Sequence, residues 1–234
     1  GDAGHEWCDT EVLRRLRRRS LAALRQEVEP VPPAALAAFL PQWQHMGAHR
    51  LRGVDGLVRV IEQLQGAAVP ASALETLVLP SRVTDYSPSM LDELTAAGEV
   101  VWAGAGALPG KDGWVSLYLA DTAPLLLPQP LPIETTEVHR AVLDTLAGGY
   151  GLFFRQIAEQ VAARGVTVED PVLAQVLWDL VWAGQLTNDT LAPLRSLLGS
   201  GRSGGTPGRR LGEGATAHRA PRRVPRGRYG SLTR

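Results

Sequence analysis

Between Leu91 and Leu119 the chain can adopt little other than a short helix followed at once by a β-hairpin. Leu91, Leu94 and Ala97 keep helical spacing, and Gly98 then supplies the left-handed position at which helices commonly stop. Val100 and Trp102, and after them Val115, Leu117 and Leu119, alternate as strands with one buried face. The stretch from Gly104 to Gly113 is expected to form a hairpin tip too polar and glycine-rich to pack. A helix joined to a hairpin in this way closes a winged helix, whose last helix enters a nucleic-acid groove while the wing touches the backbone beside it.

Upstream, the spacing supplies the rest of that unit. Val54, Leu57, Val58, Ile61 and Leu64 space one helix that stops at Gly66, and Pro70-Ala71-Ser72 starts a second through Leu74, Leu77 and Val78. Pro88 stands at a tolerated first-turn position of the third. The start of this third helix offers Asp85, Tyr86, Ser87 and Ser89 to a groove, with no Arg or Asn placed for bidentate base contacts. Backbone contact is expected instead, from Arg82, Lys111 at the wing tip, and Arg50 and Arg52, with Tyr86 and Ser87 alongside and Trp114 as the best base-stacking candidate. Trp178 and Trp182, four apart on a leucine-bearing helix, favour the core.

The pattern recurs. Val138, Ala141, Val142 and Leu146 space a helix ending at Gly148-Gly149; helices follow over 152–163 and 172–182. The run from Leu177 to Leu186 echoes that from Leu91 to Val100, so residues 134–198 read as a second winged-helix-like module in which no long wing follows. Thr187-Asn188-Asp189-Thr190 reads as a cap for a last helix through Leu191, Leu194 and Leu198. The expected division is an N-terminal helical segment over 1–50, a winged helix over 51–123, a stiff proline-rich linker over 124–133, the second module over 134–198 and a tail over 199–234. The fold class is mainly α with small β-hairpins (α+β).

In the N-terminal segment a helix over 9–28, capped by Asp9 or Thr10, carries Leu13, Leu16, Leu24 and Val28, joined by Leu21, on one face. Arg14, Arg15, Arg18 and Arg25 lie mostly on the other, as candidate phosphate contacts or as a solvated face. Pro32-Pro33 opens a second helix to about Leu40, with Pro41-Gln42-Trp43 after it.

The net charge of zero hides an asymmetry. Residues 199–234 hold nine arginines and one acid, Glu213, leaving 15 basic and 23 acidic residues for the body. Such a tail, rich in glycine and proline, is expected to be a flexible linker or an electrostatic tether for nucleic acid. Arg226-Gly227-Arg228-Tyr229 reads as the approach to a further folded segment. The only cysteine, Cys8, excludes an internal disulfide and fits a reducing compartment; no signal pattern opens the chain, and no apolar run has membrane-spanning length. A cytoplasmic protein is expected.

Chemical sites are few. Ala105 to Asp112 imitates a phosphate-binding loop, but Ala105 replaces its first glycine, Asp112 stands where Ser or Thr must hold magnesium, and it joins two strands. His5 with Cys8, and His45 with His49, lack further ligands, so no metal site is expected, and no catalytic residue can be assigned.

Trp7-Cys8-Asp9-Thr10, Phe39-Leu40-Pro41-Gln42-Trp43, Gln63-Leu64-Gln65-Gly66, Leu79-Pro80-Ser81-Arg82, Gly98-Glu99-Val100-Val101-Trp102, Leu177-Trp178-Asp179-Leu180-Val181-Trp182 and Thr187-Asn188-Asp189-Thr190-Leu191 follow one another in an order that resembles the C-terminal region of the Lhr family, large helicase-related proteins of bacterial DNA repair. The likeness runs over roughly residues 5–199. It implies tandem winged helices beyond an ATP-driven motor, with ATP and magnesium belonging to that motor and no cofactor to this chain. The implied partners are DNA, as a single strand or an RNA–DNA hybrid held through its backbone, and the motor domains; a homo-oligomer is compatible, and nucleoid association follows. The region is also similar to winged-helix DNA glycosylases that excise uracil with an aspartate, whose motif matches no position here; Asp189 is the carboxylate to watch. Two alternatives therefore stand beside the leading reading: a protein–protein interaction module without DNA contact, and part of a glycosylase region.

Overall fold

The computed structural model describes residues 9–26, 30–199 and 228–232. They fall into two units, residues 1–43 and 44–234.

In the first unit, helix α1 spans Thr10–Gln26. Asp9 caps it, its Oδ1 accepting from the backbone nitrogens of Glu11 at 2.8 Å and Val12 at 3.3 Å. The leucine and arginine faces are both exposed. Helix α2 spans Pro33–Trp43 and runs through Pro41 rather than ending before it. Pro41 has no backbone N–H, so the hydrogen bond to the carbonyl four residues earlier is missing from the last turn. Finishing it brings the Phe39 and Trp43 rings into a stack at 6.4 Å.

The second unit uses one chain order twice: helix, short strand, two helices, two strands. The first pass comprises α3 (Gly53–Leu64), β1 (Val69–Pro70), α4 (Ala71–Ala73) continuing as a π-helical stretch over Leu74–Val78, α5 (Pro88–Ala96), β2 (Val100–Ala107) and β3 (Gly113–Leu119). After a short helix α6 (Ala123–Leu126), the second pass comprises α7 (Glu137–Leu146), β4 (Leu152–Phe153), α8 (Phe154–Ala163), α9 (Asp170–Trp182) and β5 (Leu186–Asn188). Helix α10 (Ala192–Gly199) intervenes before β6 (Arg228–Ser231). The two antiparallel sheets have the same strand order, β1-β3-β2 and β4-β6-β5. Both modules are winged helices.

Three expectations change. The second module does have a wing: Arg228–Ser231, expected in the tail, pairs with both β4 and β5. The reason is Tyr229, which is 1% exposed and packs into the core from β6. The rest of the expected tail, residues 200–227, lies outside the described residues, as do His5 and Cys8. Secondly, the first wing is longer than its glycines suggest, with β2 reaching Ala107 and β3 starting at Gly113. Thirdly, the proline-rich stretch does not hold the modules apart. It begins in α6, and Leu131 donates its backbone N–H to Ala183 O at 2.8 Å.

The two modules share one apolar core. Leu57, Ile61, Leu91 and Trp102 of the first belong to the same buried cluster as Leu146, Ile157, Leu177 and Tyr229 of the second.

Candidate nucleic-acid interface

In a winged helix the third helix and the wing are the surfaces that meet nucleic acid. The third helix of the first module, α5, contains no basic residue, and α10 lies across its start. Arg195 of α10 donates through Nε to Glu75 Oε2 at 2.6 Å, through Nη1 to Asp92 Oδ2 at 2.6 Å, and through Nη2 to Glu75 Oε1 at 2.8 Å and Pro88 O at 3.2 Å. Burial opposes the Arg195 charge, and the Glu75 and Asp92 carboxylates outweigh it, so its pKa stands above the ordinary arginine value. Asp92 also accepts from Leu191 N at 3.3 Å. The start of α5 is thus held against α10, while Ser89, Glu93 and Ala96 stay exposed and offer no cation to a phosphate.

The third helix of the second module, α9, is apolar almost all round, as a helix buried on several sides must be. Its C-terminal end lies on the first wing. A Cβ at Gly104 would overlap the Val181 carbonyl, and one at Gly113 would overlap the Trp182 ring, so these two glycines admit the helix. Trp178 and Trp182 stack at 5.3 Å and are each 8% exposed, in the core as expected. Two hydrogen bonds lock the contact: Trp102 Nε1 donates to Asn188 O at 2.9 Å, and Thr187 Oγ1 donates to Trp102 O at 2.5 Å. The only exposed amide on α9, Gln175, donates to Asp179 Oδ1 at 2.8 Å.

The residues singled out from the sequence therefore separate. Arg14, Arg15 and Arg18 stand exposed on α1. Lys111 is exposed at the tip of the first wing, beside Gly110 with its φ of 85°, and Trp114 near the tip is 37% exposed. Arg82 is turned inward: Nη1 donates to Val78 O at 3.0 Å and Ser81 Oγ at 3.1 Å, and Nη2 to Gln44 Oε1 at 3.1 Å. Burial lowers its pKa. Tyr86 donates to Glu75 Oε1 at 2.5 Å, and burial first, then that carboxylate, raises its phenol pKa. Ser87 sits at the cap position of α5, its Oγ 2.9 Å from Ser89 Oγ. Arg82, Tyr86 and Ser87 thus serve the protein's own framework.

Asp189 and Asn188 do not cap a helix. Asn188 Oδ1 accepts from Thr190 N at 3.1 Å in a local turn. Asp189 holds Arg228, accepting from its backbone N at 2.8 Å and its Nε at 3.0 Å. Sequence reasoning missed the Glu75–Asp92–Arg195 cluster, because Arg195 lies 103 and 120 positions from the two acids and none of the three sits in a motif. It also missed His139, buried between Thr136 Oγ1 at 2.8 Å and Asp179 Oδ2 at 3.6 Å. Among the described residues no group of three or more His, Cys, Asp or Glu side chains could hold a metal ion, and no helix is long and apolar enough to cross a membrane.

The fold and these surfaces define a tandem winged-helix protein. Residues 31–120 match the winged-helix domain of the large helicase-related protein family. The chain is 51% identical over 224 residues to a Mycolicibacterium smegmatis protein described as "Lhr helicase/ probable uracil glycosylase", covering 96% of this chain and 14% of that protein. It is 39% identical over 239 residues to the Escherichia coli "Lhr helicase/uracil glycosylase", covering 94% of this chain and 15% of the relative. Residues 31–120 thus carry an Lhr-family winged-helix domain, and the chain spans about one-seventh of the length of these relatives.

Proposed function

We propose that this chain is a nucleic-acid-holding platform within an Lhr-type, ATP-dependent DNA repair helicase whose motor lies elsewhere in the parent protein. The observation that carries the reading is a helicase-family winged helix with a clear wing tip, in a chain that also exposes a helix face of arginines. With α9 packed into the core and no basic residue on α5, the grip is on phosphates and needs no groove insertion. Lys111 supplies charge at the wing, Trp114 a stacking ring, and Arg14, Arg15 and Arg18 a row of phosphate contacts on α1. Arg82, Tyr86 and Ser87 contribute by holding the framework of the first module. The motor domains are the protein partner. DNA as a single strand, or paired with RNA, is the nucleic-acid partner.

Fluorescence anisotropy with labelled single-stranded and duplex DNA across a salt series tests the reading. The chain is expected to bind with an affinity that falls steeply as salt rises, because phosphate contacts release counterions. Lys111→Glu and the triple variant Arg14→Glu/Arg15→Glu/Arg18→Glu should each flatten the salt slope on duplex by roughly 0.9 for every phosphate that is no longer neutralised. Failure to bind at low salt would leave a protein scaffold and overturn the proposal.

A further inference from the structure

The second module exposes two aromatic rings, Phe153 on the outer face of its sheet and Tyr150 in the turn that leads into it. Tyr150 is 79% exposed in the turn between α7 and β4, and Phe153, at the end of β4, is 51% exposed. Both stand outside the packing that buries the neighbouring Phe154 to 4%. Phe153 is directly opposite Arg228 in the β4–β6 pair, which sets their side chains on one face at about 4.5–5.5 Å between Cβ atoms. Arg228 is oriented rather than loose: Asp189 holds its Nε at 3.0 Å while the side chain stays 56% exposed. Gly151 makes room for it, since a Cβ there would sit 3.1 Å from Arg228 Cβ. The Tyr150 ring runs back over Gly148, where a Cβ would lie 3.7 Å from its Cδ2.

The charge around these rings is selective. From Thr145 to Ala158 the chain has no acid and one arginine, Arg155, although the body as a whole is acidic. Two exposed rings with an oriented guanidinium beside one of them, along an acid-free stretch, match the faces of unpaired bases and the phosphates between them. A paired duplex offers no free base face.

We infer that Tyr150 and Phe153, with Arg228 beside Phe153, form a stacking surface for single-stranded nucleic acid, distinct from the first wing. The inference rests on the nucleic-acid reading above and adds to it a site and a preference for unpaired strands.

The test uses the full chain and an oligo-dT in which one thymine is replaced by iodouracil, which crosslinks under long-wave ultraviolet light to a ring stacked on it. Mass spectrometry should find the adduct on the peptide containing Tyr150 and Phe153. Tyr150→Ala/Phe153→Ala should weaken oligo-dT binding by about tenfold or more, on the scale of stacking contacts, and leave the salt slope unchanged. Tyr150→Trp/Phe153→Trp should restore binding, whereas a leucine pair of similar bulk should not. Unchanged thermal melting of the variants shows that the fold is intact, as their exposure predicts. Wild-type affinity in the alanine pair, or adducts confined to other residues, would overturn this inference and leave the phosphate grip standing. Absence of any DNA binding by the chain would overturn both.

Discussion

Arg195 shows how a single side chain decides what a whole surface can do. It is the one cation between Glu75 and Asp92, and with it in place the start of α5 is closed by α10. Arg195→Ala leaves Glu75 with the Tyr86 hydroxyl and Asp92 with the Leu191 amide but removes the cation between them, and should cost about 2 kcal/mol of unfolding free energy, read by urea denaturation. Arg195→Lys keeps the charge but not the planar fork that reaches both acids, so it should recover only part of that loss. A second residue-scale effect lies at alkaline pH. Burial raises the Tyr229 phenol, so the folded chain keeps a proton that the unfolded chain releases near pH ~10. Its contribution is whole below that pH and falls away as pH climbs toward the folded value. Tyr229→Phe should make the loss of stability between pH 9 and 11 shallower (estimates set by the ordinary phenol value), with a remainder from Tyr86, which is shifted the same way. An identical decline in wild type and variant would show that Tyr229 is not the group responsible.

At the scale of elements, the contact between the first wing and α9 depends on two glycines that meet different neighbours. The obstacle at Gly104 is backbone, the Val181 carbonyl, whereas at Gly113 it is the Trp182 ring, which can turn. Gly104→Ala should therefore cost more than Gly113→Ala, at about 1–3 kcal/mol for overpacking, and calorimetry would rank them. The first module was legible in the sequence because its periodicity is local: α3, α5 and the β2–β3 hairpin each announce themselves within a dozen residues. The second wing was not, since β5 has three residues and its partner β6 lies beyond α10, in a glycine- and arginine-rich stretch where Tyr229 carries the burial. Pairing at that distance leaves no periodic trace. Of the candidate site, the exposed Lys111, Trp114 and the α1 arginines could be read from composition and position. The inward turn of Arg82 could not, because it depends on Gln44 and the carbonyl of Val78.

For the second unit as a whole, one core serves both winged helices, so residues 44–199 with β6 should unfold as one cooperative transition rather than two. On the proposed reading, α5 without a basic residue and α9 packed into the core leave nucleic acid to be gripped without regard to sequence. Competition binding between a pool of random-sequence duplexes and single strands, followed by sequencing of the bound fraction, tests this most directly. The account predicts bound DNA with the same sequence composition as the input, released by moderate salt. Enrichment of a defined motif would show that α5 or α9 reads bases, and would contradict it.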